Sequence, residues 1–140
     1  MQFSNRLRLV NKLVQASDTA GHLSAKHREV FRQVELFLKS HLQEQFQVPK
    51  VANAAGVSER TLERLFMSNL GMTPSTYFSV RRLQQARKEL AKVSASQKSI
   101  SRIALDQGFT HLGRFSMAYR EFFGHSPSEF RTDMNKVAQH

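Results

Sequence analysis

Groups that could move protons, hold metals or cradle phosphates are few in this chain, and their spacing suits none of those tasks. The six histidines (His22, His27, His41, His111, His125, His140) form no His-Glu-x-x-His or comparable ligand spacing, and there is no glycine-rich phosphate loop. His22 and His27 flank a helix start and read as surface residues. Cysteine is absent, which removes disulfides, thiolate nucleophiles and Cys-based zinc sites together and leaves the cytoplasm as the expected compartment. No enzyme, metal site or cofactor is expected. The abundant chemistry is cationic: 21 Lys and Arg against 11 Asp and Glu leave a formal charge of +10, with a pI near 10.7. That balance suits a polyanion, nucleic acid before an acidic membrane surface. Residues 1–45 carry seven cations against four anions, and residues 46–140 carry fourteen against seven, so the excess lies mainly in the later part. No run approaches the roughly eighteen apolar residues of a membrane span, and the N-terminus has no secretory pattern.

The elements that must carry these cations read as helices. The 140 residues include three prolines (Pro49, Pro74, Pro127), apolar residues recur three and four apart, and strand-like alternation is not sustained. The fold class expected is all-α. Phe3, Leu7, Val10 and Val14 form one amphipathic stripe, followed by a break at residues 17–21. A second helix starts at Ser24 and is expected to bury Val30, Val34, Phe37 and Leu42. Pro49 suits the first turn of a third helix, where its missing N–H is not needed. From Pro74 to Val93 the inward positions are Tyr77, Val80, Leu83, Ala86, Leu90 and Val93, with Arg81, Arg82, Arg87, Lys88 and Lys92 on the polar side. Residues 94–99 read as a polar connection, with Ser99 a candidate N-cap.

A repeat organises most of the chain. GMTPSTY (residues 71–77) and GHSPSEF (residues 124–130) share Gly-x-[Ser/Thr]-Pro-Ser-x-aromatic, 53 residues apart. The same offset pairs Leu62 with Phe115, Phe66 with Tyr119, and Leu70 with Phe123. Upstream the offset becomes 52, pairing Ala52 with Ala104 and Gly56 with Gly108, so the second copy holds one extra residue between Phe109 and Phe115. Two helices crossing steeply through a tight turn need a small residue at their contact and a glycine where φ is positive. Ala52/Gly56 and Ala104/Gly108 meet both demands. Ser58 and Thr110 are the expected N-caps of the second helices, and Gly71 and Gly124 their stops, with the following proline preventing continuation. Each copy therefore reads as a helix-turn-helix. A pair of ordinary helical hairpins in a bundle is the plainer alternative, disfavoured by two copies in register with one terminator on a basic chain.

The stretch from about Val48 to Arg131 resembles the DNA-binding domain of the AraC/XylS family of bacterial transcription regulators. The residues that carry the likeness are VANAAGVSERTLERLFMSNLGMTPSTYFSVRRLQQA in the first copy, and IALDQGF, HLGRFSMAYREFFGHSP and SEFR in the second. The resemblance implies seven helices in a homeodomain-like arrangement, with two helix-turn-helix subdomains (about 48–71 and 99–124) joined by a central linker helix (about 74–94). The domain as a whole would span 23–140.

It also implies double-stranded DNA as partner, read by a recognition helix that buries one face and presents the other to the major groove. In the first unit Leu62, Leu65 and Phe66 are needed inside, while Glu59, Arg60, Thr61, Glu63 and Arg64 lie outward. The family places base contacts at the positions of Arg60, Glu63 and Arg64. Arginine can bridge O6 and N7 of guanine, and glutamate can accept from cytosine N4. The plainer reading of Glu63 is an ion pair with Arg60 or a nearby lysine. In the second unit the base-contact candidates are Leu112, Gly113, Ser116 and Met117. Gly113 stands where the family more often has Ser, and Leu112 and Met117 offer thymine methyl contact but no hydrogen-bond code. Most sequence discrimination is therefore expected from the first unit.

Phosphate-contact candidates are Ser58, Thr61, Arg81, Lys98, Ser99, Arg102, Thr110 and Arg114. Arg82 and Arg87 are as well explained by ion pairs that brace the linker helix. With two units on one rigid spacer, a monomer is expected to read two successive major-groove segments about 10 bp apart between centres. The resemblance further implies transcriptional activation by contact with RNA polymerase, with repression where the site overlaps a promoter. Family members usually carry a sensing or dimerisation domain, and none fits before residue 48. Residues 1–22 are read as a linker remnant of such a domain in preference to part of a stand-alone regulator. The competing class is a basic helical module that binds nucleic acid or protein without sequence preference. An RNA binder is disfavoured because Phe66, Phe115, Tyr119, Phe122 and Phe123 fall in core periods and not on a stacking surface.

Overall fold

The computed structural model describes residues 24–92 and 97–138. The Phe3-to-Val14 stripe, the break at 17–21 and Val93 lie outside the described residues. Among those described the chain is helical throughout: α1 (Ala25–His41), α2 (Val48–Ala55), α3 (Glu59–Leu70), α4 (Pro74–Ala91), α5 (Ile100–Asp106), α6 (Leu112–Phe123) and α7 (Pro127–Ala138). It divides into two compact units between Phe78 and Ser79, inside α4.

Local chemistry sets the helix ends. Ser24, Ser58 and Ser99 each accept a hydrogen bond from the N–H three residues on, at 3.1, 3.1 and 3.0 Å, which satisfies a donor that the helix itself leaves open. Pro49 stands in the first turn of α2, as its spacing suggested. The repeated Gly-x-[Ser/Thr]-Pro does more than stop a helix. Gly71 and Gly124 end α3 and α6 in the left-handed conformation. Two residues on, Thr73 and Ser126 accept from the N–H groups of Thr76 and Glu129 at 3.2 and 3.1 Å, and the prolines open α4 and α7. Ser126 N–H also donates to the Glu129 carboxylate at 3.4 Å, closing a capping box. The motif is one stop and one restart.

Both tight turns are built alike. Gly56 has φ 71° and Gly108 φ 88°. Val57 N–H donates to the Ala52 carbonyl at 3.1 Å, and Phe109 N–H to the Ala104 carbonyl at 3.0 Å. This is the six-to-one bond of a left-handed helix stop, a conformation that glycine adopts without the clash of a Cβ. Ala52 and Ala104 are buried, as close helix crossing requires. The second pair departs at one point. Thr110 is not the N-cap of α6; His111 is, and its side chain makes no capping hydrogen bond. The extra residue of the second copy starts the helix at Leu112, so the Thr110 hydroxyl falls one position too early.

In the first unit Val30, Val34 and Leu38 of α1, Val51 and Ala52 of α2, and Leu62, Leu65, Phe66 and Leu70 of α3 form the core with Tyr77 and Phe78. Phe66 meets Phe31 at 5.1 Å and Tyr77 edge-on at 5.2 Å between ring centroids. Phe37 and Leu42, expected inside, are only half-buried. The inward row runs through Leu38, Phe37 stacks on His41 at 3.9 Å, and Leu42 lies past the end of α1. Glu35 is buried, and the Tyr77 hydroxyl donates to it at 2.8 Å.

In the second unit Ile103, Ala104, Phe115, Tyr119, Phe122 and Phe130 are buried. Phe123, paired by the repeat with buried Leu70, is only half-buried, and Phe122 takes the inward place. The Arg87 guanidinium lies 4.8 Å from the centroid of Phe123 and 5.1 Å from that of Phe130. It braces α4 by cation–π contact in place of the expected ion pair. Tyr77, Val80, Leu83, Ala86 and Leu90 of α4 are all buried, as their periodicity required.

Candidate nucleic-acid interface

α3 and α6 each bury one stripe and leave the opposite one exposed. On α3 the buried Leu62, Leu65, Phe66 and Leu70 fix the inner face. Arg60, Glu63 and Arg64 are exposed on the outer one, in line with Met67, itself 52% exposed. Among the described residues no ion pair holds Arg60, Glu63 or Arg64. Glu63 is thus not consumed by a neighbouring cation, and all three keep their hydrogen-bonding groups available. Thr61, placed outward by spacing, is half-buried. Its hydroxyl accepts from Ser58 Oγ at 3.0 Å while its N–H donates to the same oxygen at 3.1 Å, so the pair closes the first turn and leaves the Thr61 hydroxyl proton free to donate.

On α6 Phe115, Tyr119 and Phe122 form the inner face. Gly113, Arg114 and Met117 are exposed outside it, Met117 most of all at 74%. Leu112, 45% exposed, and half-buried Ser116 run along one flank. Arg120 is also exposed and stands three residues beyond Met117 on the same stripe. The sequence reading did not include it, although the helical period of Gly113 and Met117 points to it. Desolvation raises the pKa of the Tyr119 phenol, against a smaller lowering by the Arg87 charge. The ring is therefore a neutral core residue.

The expected phosphate contacts other than Ser58 and Thr61 fall into three groups. Arg114 and Thr110 are exposed beside the start of α6. Ser99 caps α5, and the two cations around it converge on one carboxylate: Lys98 Nζ lies 3.5 Å and Arg102 Nε 3.1 Å from Asp106. The sequence reading missed Asp106, though its i, i+4 spacing from Arg102 was a usable signal. Arg81 is half-buried, and its guanidinium donates to Gln84 Oε1 at 2.9 Å. Burial lowers the pKa values of Arg82 and Arg131, from a starting point so high that both stay charged.

Comparison with known proteins decides the family. A helix-turn-helix domain family matches over residues 51–133. A transcriptional regulator from Chromobacterium violaceum, described as containing an AraC-type DNA-binding domain, is 33% identical, with a TM-score of 0.72 over 79% of this chain and 96% of that one. The chain belongs to the AraC-type helix-turn-helix family. The DNA-binding domain of AdpA, a global transcriptional factor solved in complex with a target DNA, is 29% identical, with a TM-score of 0.65 over 76% of this chain and 93% of that one. The XylDLEGF operon transcriptional activator of Pseudomonas putida is 36% identical over 123 residues, covering 86% of this chain and 38% of the activator. The chain thus spans well under half of that relative. Seven described helices, with α3 and α6 each ended by an αL glycine, agree with the AraC-type assignment. No helix among the described residues is long and apolar enough to cross a membrane.

Proposed function

We propose that this chain is the sequence-specific DNA-binding part of a transcription regulator, reading two successive major-groove segments with α3 and α6. The observation that carries the reading is the exposed, unpaired row Arg60, Glu63 and Arg64 opposite a fully buried stripe on α3, repeated in geometry, though not in chemistry, on α6. A guanidinium presents paired donors to guanine, and a carboxylate accepts from cytosine. Arg60, Glu63 and Arg64 contact bases in the first segment; Leu112, Gly113, Ser116 and Met117 do so in the second. Ser58, Thr61, Arg81, Lys98, Ser99, Arg102, Thr110 and Arg114 hold the phosphates. The chain works in the cytoplasm without catalysis. It acts as an activator, as the Pseudomonas putida relative is described to do, through contact with RNA polymerase and under a sensing or dimerisation domain. AdpA's target-DNA complex supports duplex DNA as the ligand.

The test is a selection of random duplex DNA on the purified chain at physiological salt. An asymmetric motif of two blocks about one helical turn apart is the expected result. Salt-sensitive binding with no enriched sequence would favour the non-specific basic module.

A further inference from the structure

Gly113 is a glycine that the fold does not require. It stands inside α6 without a positive φ, and a Cβ built there would meet nothing within 4 Å. In the first turn of α6 this glycine leaves the helix backbone bare where any other residue would place a side chain. One turn along, at i+4, stands Met117, the most exposed large apolar side chain described, at 74%. Helical side chains lean toward the N-terminus and cover the turn before their own Cα. Met117 therefore continues the line of Gly113, while the surface over Gly113 itself stays open. The result is a low apolar strip on the outermost line of α6, opposite Phe115, Tyr119 and Phe122, with Arg114 and Arg120 exposed beside it.

We infer that Gly113 and Met117 together read thymine methyl groups in the second DNA segment, Gly113 by letting the helix backbone approach the base edges and Met117 by covering the methyl. This rests on the two-segment reading above. The occupant follows from the surroundings of the strip: an apolar centre between cations matches a major groove, where a C5-methyl lies between two rows of phosphates. Methionine adapts its shape to such a surface without needing a hydrogen-bond partner. Leu112, on the flank, adds apolar contact at the edge. The second unit thus discriminates by methyl contact, where the first uses hydrogen bonds.

The experiment uses the full chain and a duplex carrying the site that the chain itself selects. Thymines of the second block are replaced one at a time by uracil, which removes the methyl and keeps every hydrogen-bonding group. At one or more positions affinity is expected to fall by about three- to fivefold, the worth of one methyl withdrawn from water. Met117→Ala is expected to bind the thymine duplex as weakly as the wild-type chain binds the uracil duplex, and to lose sensitivity to uracil there. Gly113→Ala is expected to raise the melting temperature while weakening binding. The inference is overturned if the wild-type chain ignores uracil throughout the second block, if that block holds no thymine, if Met117→Ala keeps the uracil effect, or if Gly113→Ala binds undiminished. A strip made for a protein partner would give those same results on DNA. A chain that enriches no sequence at all overturns the two-segment reading, and this inference with it.

Discussion

Arg64 and Arg114 stand on the two second helices, both exposed and neither ion-paired among the described residues, yet different roles are expected of them. Arg64 stands beside Glu63 on a polar reading face. Replacing it with alanine should lower specific affinity by about ten- to a hundredfold and relax preference at one position of the first segment. Arg114 flanks an apolar strip, so its loss should weaken binding evenly across sequences and reduce the salt slope by about one. Binding-site selection on both variants decides the ranking: a larger change in base preference from Arg114→Ala would reverse it. A second residue-scale prediction concerns the core. The Tyr77 hydroxyl donates to buried Glu35 at 2.8 Å, and Tyr77→Phe withdraws that donor from the carboxylate. The change should destabilise the chain by about 1–2 kcal/mol in urea unfolding without altering the selected motif.

At the scale of the helices, the ends were legible wherever a capping residue stood directly before an apolar period. Ser24, Ser58 and Ser99 are such cases, and all three cap as their spacing required. Gly56 and Gly108 were legible for the same reason: a small residue four positions earlier fixes the turn they make. Thr110 misled because the single inserted residue moves the start of α6 to Leu112, and an insertion shifts a cap without disturbing the apolar row behind it. The Glu35–Tyr77 bond was not readable, since its partners are 42 residues apart and the motif that holds Tyr77 says nothing of Glu35. Nor was the Arg87 contact, because cation–π geometry leaves no trace in spacing. The outward faces of α3 and α6 were legible once the inner stripes were, since burial of one side leaves the other. The uncapped start of α6 carries a prediction of its own. His111→Ser would supply the acceptor that the histidine side chain does not, and should stabilise the chain by about 0.5–1 kcal/mol in thermal unfolding.

For the whole molecule, charge and repetition together determine how DNA is held. Among the proposed phosphate contacts Arg81, Lys98, Arg102 and Arg114 are cationic. Four neutralised phosphates imply a slope of log affinity on log salt near −3.6, or roughly a hundredfold loss between 50 and 200 mM salt. Lys98 and Arg102 share Asp106, so they contribute to that slope only if phosphate replaces the carboxylate. A titration giving a slope near −1 would remove most of these contacts. The repeat bears on the other half: under the proposed reading, a chain with two reading helices is expected to address two turns of duplex without a second copy. Footprinting the purified chain on its selected site tests that most directly. Two protected major-groove blocks on one face of the duplex, about 10 bp apart, are expected from a single bound chain. One protected block, or two that appear only when a second chain binds, would contradict it.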